Sequence, residues 1–171
     1  KELERISKLR SPNKVLAVVK VKEQKNIQLE STVTLVLDDI NDPGNLGTII
    51  RVCDWFGVKQ IICSENTVDI YNSKVVQSTM GSLFRVHIIY ADLRAYLAKV
   101  KTPIYGANMD GESVKNIEIN QKIHLVMGNE ANGISEKVEK YINKKVSIRN
   151  IGDNTESLNV AVATSILLYE F

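Results

Sequence analysis

Short apolar runs alternate along this chain with segments whose apolar side chains recur every three or four residues. The run at 35–37 ends in Asp38 and Asp39 and reads as a buried strand. Asp42-Pro43-Gly44 supplies a turn, and the spacing predicts a helix from about Asn45. In that helix Leu46, Ile49, Ile50 and Cys53 form one core-facing stripe, while Asn45, Thr48 and Arg51 wind around a different side. Further on, 59–63 reads as a second strand, 72–80 as a helix broken at Gly81, 86–90 as a third strand and 92–100 as a helix. A strand is expected at 103–107, with Gly106 and Gly111 bracketing a loop. The apolar run 123–127 leads into Gly128-Asn129-Glu130-Ala131-Asn132-Gly133, after which Ser135 is placed to cap a helix starting at Glu136. A short strand through Ile148, a polar loop and a closing helix from Ser157, dense in small and branched residues, complete the chain. Such alternation predicts an α/β fold with a mostly parallel sheet and helices on both faces.

Composition narrows the class. At 171 residues, 44% hydrophobic and 25% charged, the chain suits one compact domain better than two. No apolar run approaches membrane-spanning length and no signal-peptide pattern opens it, so a cytoplasmic location without membrane attachment is expected. Cys53 and Cys63 lack a CxxC pattern or clustered histidines, so neither a disulfide frame nor a metal site is indicated. His87 and His124 sit inside strand-like apolar runs and read as packing residues. The formal net charge is only +2, but residues 1–25 hold eight basic and three acidic side chains. A basic arm on a slightly acidic body suits attraction to phosphate backbones, although a solvated amphipathic tail would look the same. The polar stretch 23–31 reads as a linker into the core.

Polar residues gather where apolar runs end, which is where open α/β sheets bind ligands. One helix holds an amide, a hydroxyl and a guanidinium at the mouth of its turn, and glycines flank a single carboxylate, Glu130, after the strand at 123–127. On local physics alone, Asn45 could be a helix cap, Arg51 a surface charge and the glycines turn residues. No G-x-G-x-x-G follows a strand, which counts against a dinucleotide-binding or Rossmann-type methyltransferase site. No G-K-[ST] phosphate loop, H-E-x-x-H or G-x-S-x-G occurs either.

Three ordered segments decide between these readings. Asn45-Leu46-Gly47-Thr48-Ile49-Ile50-Arg51 after D-x-x-D-P-G, then G-N-E-x-x-G at 128–133, then Ser157-Leu158-Asn159-Val160-Ala161 resemble the three motifs of the SpoU (TrmH-like) family of RNA ribose 2′-O-methyltransferases, in the SPOUT superfamily. The resemblance spans residues 32–171, read as the catalytic domain. It implies a C-terminal trefoil knot, S-adenosylmethionine as cofactor, and a homodimer with its active sites near the subunit interface. By the same resemblance Asn45, Arg51, Glu130 and Asn159 form the catalytic set, while Ala107, Gly128, Asn129, Ile148 and Leu158 line the cofactor pocket. The third segment departs from the pattern: Arg149-Asn150 stands where many members have Pro-Met, and the loop 152–157 is one residue longer.

Residues 10–19 resemble the stretch by which many SpoU enzymes leave an N-terminal, ribosomal-protein-like domain, so 1–31 is read as a basic arm and linker remaining from it. The expected activity is methyl transfer to a ribose 2′-hydroxyl of structured RNA, with 23S ribosomal RNA ahead of transfer RNA. The alternative is a non-catalytic RNA-binding module on the same fold. In the expected chemistry Arg51 binds the phosphate beside the target nucleotide and orients, or helps deprotonate, the 2′-hydroxyl. Asn45 and Asn159 bond the ribose and Arg51 or Glu130. Glu130 holds Arg51 or accepts the proton.

Overall fold

Six segments line up as the parallel strands of one sheet in a computed structural model, which describes residues 2–7, 14–15, 17–20, 31–152 and 156–171. Most of the basic arm therefore lies outside the described residues; a short helix, α1 (Glu2–Ile6), lies within them. The strands are β1 (Val33–Leu37), β2 (Gln60–Ser64), β3 (His87–Ala91), β4 (Ile104–Ser113), β5 (Ile123–Met127) and β6 (Lys144–Ser147), in the spatial order β3-β2-β1-β5-β4-β6. Strands β1, β2 and β5 are buried at every position, as continuous apolar runs in a parallel sheet require.

Helices cover both faces. Against one pack α2 (Pro43–Trp55), α3 (Ser73–Ser78) and α6 (Val160–Glu170), through Leu46, Ile49, Ile50, Cys53, Val75, Val160, Leu167 and Leu168. Against the other pack α4 (Leu93–Leu97) and α5 (Glu136–Glu139), through Leu93, Leu97 and Val138. Cys53 and Cys63 are buried free thiols, and His124 is 2% exposed, as the apolar patterning indicated.

Several boundaries differ from the sequence reading. Helix α2 starts at Pro43, with Asp42 rather than Asn45 as its cap: the Asp42 carboxylate accepts the Asn45 N–H at 2.8 Å, and proline fits the first helical position. Asn45 is thereby released from capping its own helix. Ser135 holds the cap position of α5 without a side-chain capping bond; its N–H goes to Asp38 Oδ2 at 2.7 Å instead. The closing helix begins at Val160, capped by Asn159, because the Asn159 side chain accepts from Ala161 and Val162 N–H.

The expected loop between Gly106 and Gly111 is part of a ten-residue strand that loses and regains register. Ala107 and Glu112 both align with Val146 of β6, so the residues between them bow out of the ladder. Gly111 rests on the backbone there: a Cβ on it would meet Val146 N and C at 2.6 Å. Ser147 Oγ donates to the Gly111 carbonyl at 2.7 Å and holds the crossing in place.

Candidate active site

The chain runs outward from β1 to β3, crosses to β4 on the far side, and returns β5 to lie beside β1. The carboxyl ends of β1 and β5 are thus the point where strand order reverses, and the loops leaving them part to either side. After β1 comes the Asp38-to-Asp42 turn with the first turn of α2; after β5 comes the Gly128-to-Gly133 loop. The amino end of α6 arrives over both.

These three segments are joined by a chain of side-chain hydrogen bonds. Asn45 Nδ2 donates to Glu130 Oε1 at 2.9 Å. Asn159 Nδ2 donates to Asn45 Oδ1, also at 2.9 Å, while Asn159 Oδ1 caps α6. Residues 85 and 114 positions apart in sequence are in direct contact. Each amide has one orientation compatible with its neighbours: a carboxylate only accepts, so Asn45 must turn its NH₂ toward Glu130 and its oxygen toward Asn159. The second oxygen of Glu130 accepts nothing among the described residues, and the carboxylate is exposed.

Arg51 stands apart from this chain. Six residues beyond Asn45, it projects about 120° further round the helix and about 9 Å along it. It is exposed, and among the described residues it forms no hydrogen bond or ion pair. The geometry therefore gathers Asn45, Glu130 and Asn159 and leaves Arg51 exposed on a different flank of α2.

The carboxylate loop is closed on itself. Asn129 N–H donates to the Gly133 carbonyl and Gly133 N–H to the Asn129 carbonyl, both at 2.9 Å, and Asn129 Oδ1 accepts from Ala131 and Asn132 N–H. Gly133, with φ +67, makes the return. Gly128 must lack a side chain, because a Cβ there would lie 2.2 Å from the Gly133 carbonyl carbon. Asp38, 4% exposed, bonds the Ser135 N–H and pins the far side of the loop to β1. That contact was not foreseen; its only sequence signal was a carboxylate doubled at a strand end.

Gly128, Asn129 and Ile148 fall at the carboxyl ends of β5 and β6 and Leu158 just before α6, while Ala107 lies within β4 where its register with β6 breaks. Ala107 and Ile148 are partly buried against the core, while Leu158 is 47% exposed with its apolar side chain uncovered. Residues 153–155 of the loop before Leu158 lie outside the described residues. Apolar side chains beside loop backbone and one carboxylate form a donor set that fits a nucleoside bearing a cationic tail. A groove of about 640 Å³ lies elsewhere, at the amino end of the sheet between α4, β4 and α5. Among the described residues no group of histidine, cysteine and acidic side chains is arranged to hold a metal ion.

Comparison with known proteins bears on this arrangement. The chain is 30% identical over 168 residues to the 23S rRNA (guanosine(2553)-2'-O)-methyltransferase RlmP of Bacillus subtilis, covering 96% of this chain and 66% of that protein. A solved structure of a TrmH-family protein from Porphyromonas gingivalis superposes with a TM-score of 0.91 at 36% identity, over 98% of this chain and 69% of the other. An rRNA methyltransferase from Sinorhizobium meliloti solved with AdoMet bound gives a TM-score of 0.76 at 31% identity, over 81% and 54%. The chain thus spans about two thirds of the Bacillus relative and about half of the Sinorhizobium one. Residues 32–169, which contain all three strand-end segments, match the model of the SpoU rRNA Methylase family, and to that family the chain belongs.

Proposed function

We propose that this chain transfers a methyl group from S-adenosylmethionine to a ribose 2′-hydroxyl of structured RNA, with ribosomal RNA the preferred class. The observation that carries the reading is the hydrogen-bonded chain Glu130–Asn45–Asn159 at the reversal point of the sheet, with the Arg51 guanidinium, unengaged among the described residues, one helical flank away. Named relatives that act on 23S rRNA, from Bacillus subtilis and Blochmanniella floridana, support ribosomal over transfer RNA. An AdoMet-bound relative supports the cofactor.

S-adenosylmethionine, when bound, supplies an electrophilic methyl on a sulfonium. Gly128, Asn129, Ala107, Ile148 and Leu158 would hold it, the apolar side chains against its base and the loop backbone against its polar atoms. What remains for the chain is to present the hydroxyl in line, and orientation of this kind can supply roughly 7–11 kcal/mol of a barrier in favourable cases.

Glu130 has one oxygen held by Asn45 and one open, so it can accept a hydrogen bond from the 2′-hydroxyl and, as the oxygen is methylated, its proton. Asn45 fixes the carboxylate's rotamer and Asn159 fixes Asn45. Arg51 has no acceptor and stays cationic, so its part is to bind the RNA phosphate beside the target nucleotide.

The proposed enzyme is a homodimer. Supporting this, the adjacent helices α2 and α6 leave the large apolar side chains Trp55 85%, Tyr169 74% and Val162 48% exposed. The threaded C-terminal topology that the family motifs imply is part of the same proposal.

The test is Arg51→Ala with labelled S-adenosylmethionine and either 23S rRNA or bulk transfer RNA. Transfer to RNA falls by at least about 100-fold, while cofactor affinity by calorimetry stays within about threefold. Retained turnover removes Arg51 from the mechanism. Wild-type protein that binds RNA but neither binds the cofactor nor methylates RNA supports the non-catalytic alternative.

A further inference from the structure

Behind the loop that carries Glu130 lies a second set of polar contacts that the catalytic chain does not use. It begins at Asp39, which has φ +58, a left-handed conformation in which a residue other than glycine is uncommon and aspartate is among the better tolerated. Asp39 lies two residues beyond the end of β1, where the chain leaves the sheet toward α2. Something must hold it there.

That role falls to Ser64, the last residue of β2, which is 8% exposed. The Asp39 N–H donates to Ser64 Oγ at 2.9 Å, and Ser64 Oγ donates back to Asp39 Oδ1 at 2.7 Å. With its single proton committed to the carboxylate, Ser64 must accept the 2.9 Å contact from the Thr67 hydroxyl. The hydroxyl is therefore saturated, with one bond given and two received, and it clamps Asp39 at both its backbone nitrogen and its side chain.

The clamped residue presents its carbonyl outward across the sheet reversal. Asn129 Nδ2 donates to that carbonyl at 2.7 Å, and Asn129 Oδ1 takes the N–H groups of Ala131 and Asn132 at 2.9 and 3.1 Å. Asn129 thus ties the tip of the Glu130 loop to the strained turn after β1, using side-chain and backbone groups together. Resting on the function proposed above, we propose that Ser64, Asp39 and Asn129 form a positioning relay. The relay sets the height and direction of Glu130 over β5, and Ser64, Asp39 and the Asn129 side chain act on the reaction through Glu130, apart from the loop backbone assigned to the cofactor.

The relay makes a prediction about backbone that opposes ordinary preference. Glycine adopts φ +58 freely and alanine does not, so Asp39→Gly retains more methyl transfer than Asp39→Ala, although both lose the carboxylate. Ser64→Ala and Asn129→Ala each lower kcat by about tenfold or more, with KM for RNA within about threefold. The discriminating arm is a double-mutant cycle with Glu130→Gln. If Asn129 works only through Glu130, then Asn129→Ala costs less than about threefold further in the Glu130→Gln background. A further full tenfold loss there overturns the relay, as does equal activity of the two Asp39 variants.

A readout independent of turnover keeps the relay separable from the enzymatic reading. In Ser64→Ala the amides of Ala131 and Asn132 exchange with solvent at least about tenfold faster than in the wild type, with β5 amides unchanged. Should the wild type prove unable to methylate RNA, the proposed function fails while this exchange still decides the relay: unaltered exchange at Ala131 and Asn132 overturns it.

Discussion

At the amino ends of the strands His124 is buried between Tyr96 and Thr102, its Nε2 2.8 Å from the tyrosine hydroxyl and its Nδ1 2.9 Å from the threonine hydroxyl. At the carboxyl ends Glu130, Asn45 and Asn159 form an equally continuous chain, but the carboxylate and the Asn159 amide are exposed and one Glu130 oxygen has no partner among the described residues. Both regions are networks of polar side chains drawn from distant parts of the sequence. In the first, both ring nitrogens are engaged out of water, and burial lowers the histidine pKa to about 4. That network stabilises one neutral arrangement. In the second, unspent bonding capacity faces solvent. A saturated buried network contributes to folding; an unsaturated exposed one can bind and react.

The comparison breaks most sharply at Gly128. Gly128→Ala forces a Cβ to within 2.5 Å of three backbone atoms of Gly133 and Ile134, so the Glu130 loop must move. Methyl transfer is expected to fall to about 1% or less, with a stability loss of about 1–3 kcal/mol, measured by single-turnover assay and urea unfolding. A variant of normal activity would show that the loop geometry does not matter to the chemistry.

The amino-end network is probed by pH. Because the folded His124 pKa of about 4 lies below its ordinary value of 6.5, the unfolded chain takes up a proton that the folded chain refuses. The sign follows: this stability is complete above about pH 6.5 and is lost as pH falls toward 4, amounting to about 2–3 kcal/mol. Urea midpoints at pH 7.5 and 4.5 should therefore differ more for the wild type than for His124→Gln. Equal differences would mean that the histidine titrates normally and the two ends are alike.

A smaller effect separates two members of the catalytic chain. Asn159 also caps α6, whereas α2 is capped by Asp42, so Asn159→Ala costs about 1 kcal/mol more than Asn45→Ala in thermal or urea unfolding. Both lose activity. Indistinguishable stabilities would put Asn159 outside the helix-capping role.

Much of the architecture was legible from patterning. The buried runs of β1, β2 and β5 and the stripe Leu46, Ile49, Ile50 and Cys53 follow from periodicity, and each was found where expected. The register break in β4 was not, since neither Gly106 nor Gly111 says which backbone will press against it; Gly111 is needed because Val146 lies there. Nor could the helix start at Pro43 be separated from one at Asn45 without seeing which side chain reached the free N–H groups, as both Asp and Asn are good caps.

For the site, the three segments named the residue types and their order. They did not say that Asn45 would bond Glu130 while Arg51 turned to another flank, a distinction of helical phase combined with where α6 and the β5 loop arrive. Ser64 and the left-handed Asp39 carried no motif at all, because a serine that ends a strand and an aspartate in a turn are ordinary in sequence.

The sequence by itself determined the alternation of elements, the burial of the sheet and the chemical inventory at the strand ends, because these depend on interactions between near neighbours and water. Only the tertiary structure decided which of those groups meet. Contacts between residues 45, 130 and 159 depend on strand order, and strand order is set by how whole layers pack.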